Sequence, residues 1–142
     1  MILIVGCGRL GSGLAVRLVA AGQDVTILDH DRRNFDANLP RGFKGRTVEG
    51  LEIDNDVLKR AGIASASAVA AVARDESTNM MTADVARRIF KVPRIVVRID
   101  EPRLAELYRA DGFIVISPVY EGTMALERAL TSPPDAAPEA LT

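Results

Sequence analysis

The chain has no tryptophan, one cysteine and one histidine in 142 residues, and aromatic residues make up only 4%. The lone cysteine, Cys7, excludes an internal disulfide and fits a reducing compartment. The lone histidine, His30, is far in sequence from that cysteine, so no soft-metal ligand set exists and no metal site is expected. So few aromatics offer no platform for stacking bases. A net charge of −1 leaves no electrostatic footprint for nucleic acid or an anionic membrane. No apolar run approaches the roughly 18 residues of a spanning helix. The amino terminus lacks the basic start and long apolar middle of a secretion signal. These absences lead us to expect a cytosolic protein without a nucleic-acid partner. Catalytic signatures are missing too. There is no nucleophile elbow, no Walker lysine and no His-Glu-x-x-His. Neither Tyr108 nor Tyr120 is followed by a lysine four residues later.

What the chain does have begins at residue 2. Ile2-Leu3-Ile4-Val5 runs into a turn spaced G-x-G-x-x-G at Gly6, Gly8 and Gly11, and a helical pattern follows with Leu10, Leu14 and Leu18 on one face. Strand, tight turn and helix in this order make a dinucleotide cradle. Gly6 permits the turn, Gly8 lets backbone approach a pyrophosphate, and Gly11 lets the helix pack on the strand. The helix N-terminus then offers unpaired N–H groups and partial positive charge to phosphates. A second apolar run, 24–28, leads to Asp29, 18 residues after Gly11. That is near the ~20 residues expected for an acid that accepts from ribose hydroxyls. Asp31 competes for that role as a nearby turn acid. A carboxylate there repels a 2′-phosphate and favours NAD or an adenosine phosphate, although Arg32 and Arg33 leave room for NADP.

Further apolar runs lie at 46–49, 68–73, 94–99 and 113–116. Candidate helices lie near 10–21, 31–38, 54–61, 75–90, 101–110 and 119–130. Strands alternating with helices predict an α/β, Rossmann-like, doubly wound fold. Its six-stranded sheet should be mostly parallel, in the order 3-2-1-4-5-6, with helices on both faces and a ligand crevice at the switch point beside the first strand. Gly22 and Gly62 read as helix ends, Asp54 and Asp75 as N-caps, and Pro102 as a first-turn proline. Met81, Val85 and Ile89 read as the core stripe of the fourth helix. Residues 1–130 are expected to form one nucleotide-binding domain. Residues 131–142, with three prolines and no basic residue, read as a mobile tail or linker stub.

Several side chains have two readings at this level. Arg9, inside the glycine turn, either forks onto phosphate or faces solvent. Arg74 and Arg98, after and near the end of the fourth and fifth strands, either meet phosphate or pair with Asp75, Glu76 or Asp100. Cys7 is either a reactive thiol near a helix N-terminus or a small residue that fits. His30 is a surface residue within reach of a ribose or adenine.

Taken together, these residues resemble the TrkA N-terminal (KTN, or RCK) family, regulatory domains of bacterial potassium transporters. The matching segments are GCGRLGSGLA from Gly6 to Ala15, VTILD ending at Asp29, and VLKRAGI at 57–63. DESTN at 75–79, VPRIVVRI at 92–99 and GFIVISP at 112–118 complete the match. The resemblance implies a cytoplasmic protein at the inner face of the membrane that binds NAD(H) or ATP, ADP or AMP. It would gate a membrane-embedded potassium transporter subunit. It also implies a homodimer or larger ring, in which a second TrkA-type chain is a candidate partner, and no catalysis of its own. Carried over by position, the binding residues are Gly6, Cys7, Gly8, Arg9, Leu10 and Gly11, the ribose acid Asp29, then Ala73, Arg74 and Arg98. Three features depart from the family pattern. Ala73 replaces a hydroxyl residue. Val119, with Glu121 two residues on, replaces an acid after the Ser117-Pro118 pair, which argues against a metal-assisted ATP site. A C-terminal TrkA-C domain is absent from these residues. The last helix, with Met124, Leu126 and Leu130, reads as a dimer arm or as folded back on its own sheet. The alternative function is an NAD-dependent oxidoreductase domain that needs a partner substrate domain.

Overall fold

The computed structural model describes residues 1–135. In chain order these form β1 (Ile2–Val5), α1 (Arg9–Ala20), β2 (Val25–Asp29), α2 (Arg32–Asn38), β3 (Arg46–Glu49) and α3 (Asn55–Arg60). A 3-10 turn at Ile63–Ser65 leads to β4 (Ala68–Ala71), α4 (Glu76–Arg88), β5 (Arg94–Arg98), α5 (Pro102–Ala110), β6 (Ile114–Ile116) and α6 (Pro118–Thr131). The strands make one sheet in the order β3-β2-β1-β4-β5-β6. Every pairing is parallel, so the expected doubly wound topology is present. Beyond α6, most of the segment read as a tail lies outside the described residues.

Alternation along β1 divides the interior in two. Leu3 and Val5 face a layer that includes Val57 and Leu58 of α3, Ala83 and Ala86 of α4, and Ala105 of α5. Ile4 faces the opposite layer, with Ala15, Leu14 and Leu18 of α1 and Phe35 beside α2's Leu39 cap. Leu3, Ile4, Ile27, Leu28 and Leu58 are fully buried. Each such side chain contributes about 1.5–3 kcal/mol of burial free energy. The sheet therefore carries helices on both faces, and its central strands β1 and β4 meet where the chain order reverses.

Local signals set the boundaries. Gly22 and Gly62 take left-handed backbone (φ 83 and 90) just past α1 and α3, where a side chain would be strained. Asp54 and Asp75 accept from first-turn amides of α3 and α4, and Pro102 opens α5. The stripe expected on α4 is corrected. Val85 packs against the core as expected, but Met81 and Ile89 are half exposed, at 50% and 54%, and the buried face is Asn79, Thr82, Ala83 and Ala86. Beneath it lies the small-residue strand Ala68-Val69-Ala70-Ala71, where only small side chains let helix and sheet backbones come this close. Leu10 is corrected likewise. It is 39% exposed and lines a cavity, while Leu14 and Leu18 alone of that trio pack inward.

One contact fixes where α1 sits. A Cβ at Gly11 would lie 1.8 Å from the Gly6 carbonyl oxygen, whereas one at Gly13 would meet nothing within 4 Å. Gly11→Ala is expected to lower stability in urea by about 3 kcal/mol or more, because backbone must move. Gly13→Ala, an exposed change inside the same helix, is expected to raise it by about 0.5–1 kcal/mol.

Candidate functional site

The carboxyl ends of β1, β2, β4 and β5 open onto a cleft of about 1160 Å³, just above the roughly 300–1,000 Å³ of most ligand pockets. It lies at the switch point, where open parallel sheets bind ligands. Gly6, Gly8, Arg9, Leu10, Asp29, Ala73, Arg74 and Arg98 all line it. The chain's glycine turn forms one wall. Gly6 adopts φ 109, and a Cβ on it would approach the Ala73 Cα to 2.6 Å. Gly8 is different, since a Cβ there meets no protein atom within 4 Å. Nothing in the protein itself demands a glycine at that position.

The start of α1 is also open. Helices α2, α3, α4, α5 and α6 begin on side-chain caps: Asp31, Asp54, Asp75, Glu101 and Ser117. At α1 the cap is Gly8, with no side-chain bond and no acid in the first turn. A missing cap costs about 0.5–2 kcal/mol unless something else satisfies the free amides. Those amides face the cleft.

Two of the expected binding residues do not reach the cavity wall. Cys7 is fully buried. Its amide donates to Asp29 Oδ2 at 2.8 Å, and its carbonyl accepts from Asn38 Nδ2 at 2.9 Å. Burial, then the nearby Asp29 charge, push its thiol up to about 11. Cys7 is thus a protonated, packed residue rather than a reactive thiolate. Gly11 lies under the turn against Gly6 and is absent from the lining. Both hold the cradle's shape without presenting side-chain surface to the cavity.

Asp29 ends β2, buried to 4% exposure yet on the cleft wall. Asp31 also lines the cleft, where it caps α2 and pairs with Arg33 at 2.8 Å. The Asp29 carboxylate is already engaged by the protein itself. Oδ2 accepts from Cys7 N, while Oδ1 accepts from Asp31 N at 2.9 Å and Asn34 Nδ2 at 2.8 Å. A carboxylate offers about four lone-pair sites, and three are occupied. Asp29, His30 and Glu52 each bring one ligand atom within 4.8 Å of the others.

The arginines separate into two kinds. Arg9 and Arg74 line the cleft with no ion pair among the described residues. Arg98 pairs with Asp100 at 3.2 Å. Asp100 in turn accepts from Ser117 Oγ at 2.8 Å and Val119 N at 3.1 Å at the start of α6. Arg32 lies 3.5 Å from Glu49, outside the cleft lining. Ala73 brings a methyl group in place of a hydroxyl, and its backbone is held by Asn79, whose Oδ1 accepts from its N–H at 2.7 Å and whose Nδ2 donates to its carbonyl at 2.8 Å.

Sequence reasoning missed Asn34, Asn38, Asn79 and Glu52. Asn34 and Asn38 are four apart on α2, and so share one face, which turns to the glycine loop. Asn79 closes the DESTN segment and ties Ala73 to the Arg98 carbonyl at 3.2 Å. Glu52 follows β3 by three residues, and β3 pairs Glu49 with Asp29, so the parallel register carries Glu52 toward the same edge. Glu52 is 4% exposed. Its Oε1 accepts from His30 N at 3.1 Å and lies 2.7 Å from His30 Nδ1.

A six-stranded parallel sheet with a glycine cradle and an acid across the switch point defines a Rossmann-type nucleotide-binding domain. The family model for the TrkA-N domain matches residues 2–118, and the chain belongs to that family. It is 40% identical over 132 residues to a Trk system potassium uptake protein TrkA of Streptomyces coelicolor, covering 92% of this chain and 59% of that protein. It is 34% identical over 139 residues to the TrkA of Vibrio alginolyticus, covering 93% and 30%. The chain thus spans well under two thirds of these relatives. Among solved structures, the GsuK RCK domain superposes with a TM-score of 0.77 at 26% identity, covering 91% of this chain and 27% of that one. GsuK bound to ADP gives the same TM-score and identity, covering 92% and 33%. No helix among the described residues is long and apolar enough to cross a membrane.

The Glu52 hydrogen bond, then its charge, raises the His30 pKa above the ordinary 6.5. The sign follows from linkage. The pair's contribution to folding is fully present below pH 6.5 and fades as pH rises through the folded-state midpoint. An NMR titration of the His30 ring is expected to show a midpoint above 6.5, returning toward 6.5 in Glu52→Gln.

Proposed function

We propose that this chain is a nucleotide-binding regulatory domain for potassium transport. In this proposal NAD(H) or an adenine nucleotide (ATP, ADP or AMP) lies across the glycine turn. Its phosphates meet the open amides of α1, with Arg9 and Arg74 beside them, and its sugar lies near Asp29. The observation that carries the proposal is the uncapped start of α1 facing a large cleft, when the other five α-helices among the described residues cap themselves. Helix N-termini of this kind bind anions. The TrkA relatives support a role in potassium uptake, and GsuK bound to ADP supports an adenine nucleotide as the ligand class.

The membrane-embedded transporter subunit is the proposed partner, reached from the cytoplasmic side. A regulatory role is preferred over an oxidoreductase because the potassium uptake relatives point to regulation. Paired copies would meet through α6, which buries none of its residues and leaves Leu126 and Leu130 exposed at 66% and 84%. A contact chain from the cleft to that helix runs Arg98 to Asp100 to Ser117 and Val119. A nucleotide acts on such an assembly only through different affinities for its two arrangements. The ten binding positions inherited from the family divide accordingly. Gly6, Gly8, Arg9, Leu10, Asp29, Ala73, Arg74 and Arg98 would face the ligand, and Cys7 and Gly11 would shape the loop.

Calorimetric titration with NAD, NADH, ATP, ADP and AMP is the test, run on the chain and on Gly8→Val. Gly8 has extended backbone (φ −78, ψ −166) and open space at its Cβ. The variant is therefore expected to fold within about 1 kcal/mol of the parent and to lose at least tenfold in nucleotide affinity. No binding of any nucleotide by the parent at millimolar concentration defeats the proposal, as does undiminished binding by Gly8→Val.

A further inference from the structure

Glu52 has a feature that its role as partner to His30 does not use. Its side chain is 6% exposed and lines the cleft. Oε1 is held by the two His30 nitrogens, yet Oε2 has no partner among the described residues. That oxygen is not sealed in the interior, since the one fully buried side-chain polar atom without a partner among the described residues is Thr82 Oγ1, so Oε2 is open to accept a donor from the cleft. Asp29, its neighbour across the cleft wall, already accepts three protein N–H groups. A vicinal diol presents two O–H donors, and Asp29 lacks the lone pairs to take both well. Between them, the two carboxylates have the capacity, and one ligand oxygen of each lies within 4.8 Å of the other.

We propose that Glu52 is a specificity-determining residue of the cleft, sharing the ribose hydroxyls of a bound nucleotide with Asp29. The inference rests on the nucleotide reading above. His30 is the positioning residue. It bridges the pair, 2.7 Å from Glu52 Oε1 and 3.8 Å from Asp29 Oδ1, and its ring aligns Glu52 while lowering the repulsion between two close carboxylates. The second carboxylate also sharpens discrimination. A 2′-phosphate placed on the sugar would face two negative groups, and such juxtaposition rejects the wrong ligand. Arg32 and Arg33 do not relieve it, since they pair with Glu49 and Asp31. The cleft is therefore built with its acids on the sugar side and Arg9 and Arg74 on the phosphate side, a polarity that suits NAD or ADP and excludes NADP.

The test measures affinities of the parent chain, Glu52→Gln and His30→Ala for ADP, 2′-deoxy-ADP, 3′-deoxy-ADP, inosine diphosphate, NAD and NADP. The parent is expected to bind ADP about tenfold more tightly than at least one deoxy analogue, the loss of a hydrogen bond to a charged acceptor. In Glu52→Gln, where the charge is lost and one of the two acceptor oxygens becomes an amide donor, that ratio is expected to fall below about twofold. The preference for NAD over NADP is expected to narrow with it. His30→Ala removes a ring that is 62% exposed and leaves the backbone N–H bond to Glu52 in place, and it is expected to shrink the deoxy ratio in the same direction. This second variant decides the matter if Glu52→Gln does not fold. A deoxy ratio unchanged in the folded variants overturns the assignment of Glu52 while leaving nucleotide binding intact. A ratio of ADP to inosine diphosphate that collapses instead of the deoxy ratio also overturns it, because Glu52 would then read the base amine. No binding of any nucleotide by the parent overturns both this inference and the function it rests on.

Discussion

Everything at the cleft depends on one backbone contact. Gly11 of α1 lies so close beneath the Gly6 carbonyl that no Cβ fits between them. That approach seats the helix directly on β1 and brings its first turn to the carboxyl edge of the sheet. With a larger residue the helix would stand off, and its open amides would no longer face the space between β1 and β4. The glycine turn is therefore less a flexible loop than a fixed joint. Asp29 accepts from the Cys7 amide, Asn38 donates to the Cys7 carbonyl, and Asn34 holds Asp29 in turn. Buried polar groups that are fully paired rigidify the structure around them, so the cradle is organised before any ligand arrives.

A similar economy of partners operates across the switch point. Asn79 satisfies both backbone groups of Ala73 and reaches the Arg98 carbonyl, which locks the ends of β4 and β5 together. Glu76 accepts from the amides of Asp100 and Glu101, and Asp100 joins Arg98 to the start of α6. What these networks leave over is informative. The amides at the start of α1, the guanidinium groups of Arg9 and Arg74, and one oxygen of Glu52 remain without protein partners among the described residues. They all belong to one cleft. Donors and cations gather at the glycine turn and the β4 end of the cleft, and carboxylate acceptors at its β2 and β3 end, a polarity that the proposed nucleotide would match.

The fold was legible because its signals are local and redundant. Four apolar residues, a glycine turn and a helix repeat the same message, and alternation of strands with helices carries it along the chain to the final strand. The site was legible only in part, for a physical reason. Gly6, Gly8, Asp29 and Arg98 stand at strand ends or in the turn, positions that spacing reveals. Asn34, Asn38, Asn79 and Glu52 act through contacts across 5 to 31 residues of chain, and polar residues in helices and loops look alike until packing selects among them. Cys7 sits in the motif, and only burial distinguishes a lining residue from a structural one. The α4 face was misread because period alone cannot say which of two helical faces meets a sheet. The small side chains of β4 decided it.

The amides of Gly8, Arg9 and Leu10 give the most direct test of the proposed phosphate cradle. Adding saturating ADP to the nitrogen-15-labelled chain should move these three backbone resonances most, because hydrogen bonds from them to phosphate replace solvent. Resonances that stay in place at those positions, while residues of β6 or α6 shift on addition of the nucleotide, would put the ligand elsewhere and contradict the central claim.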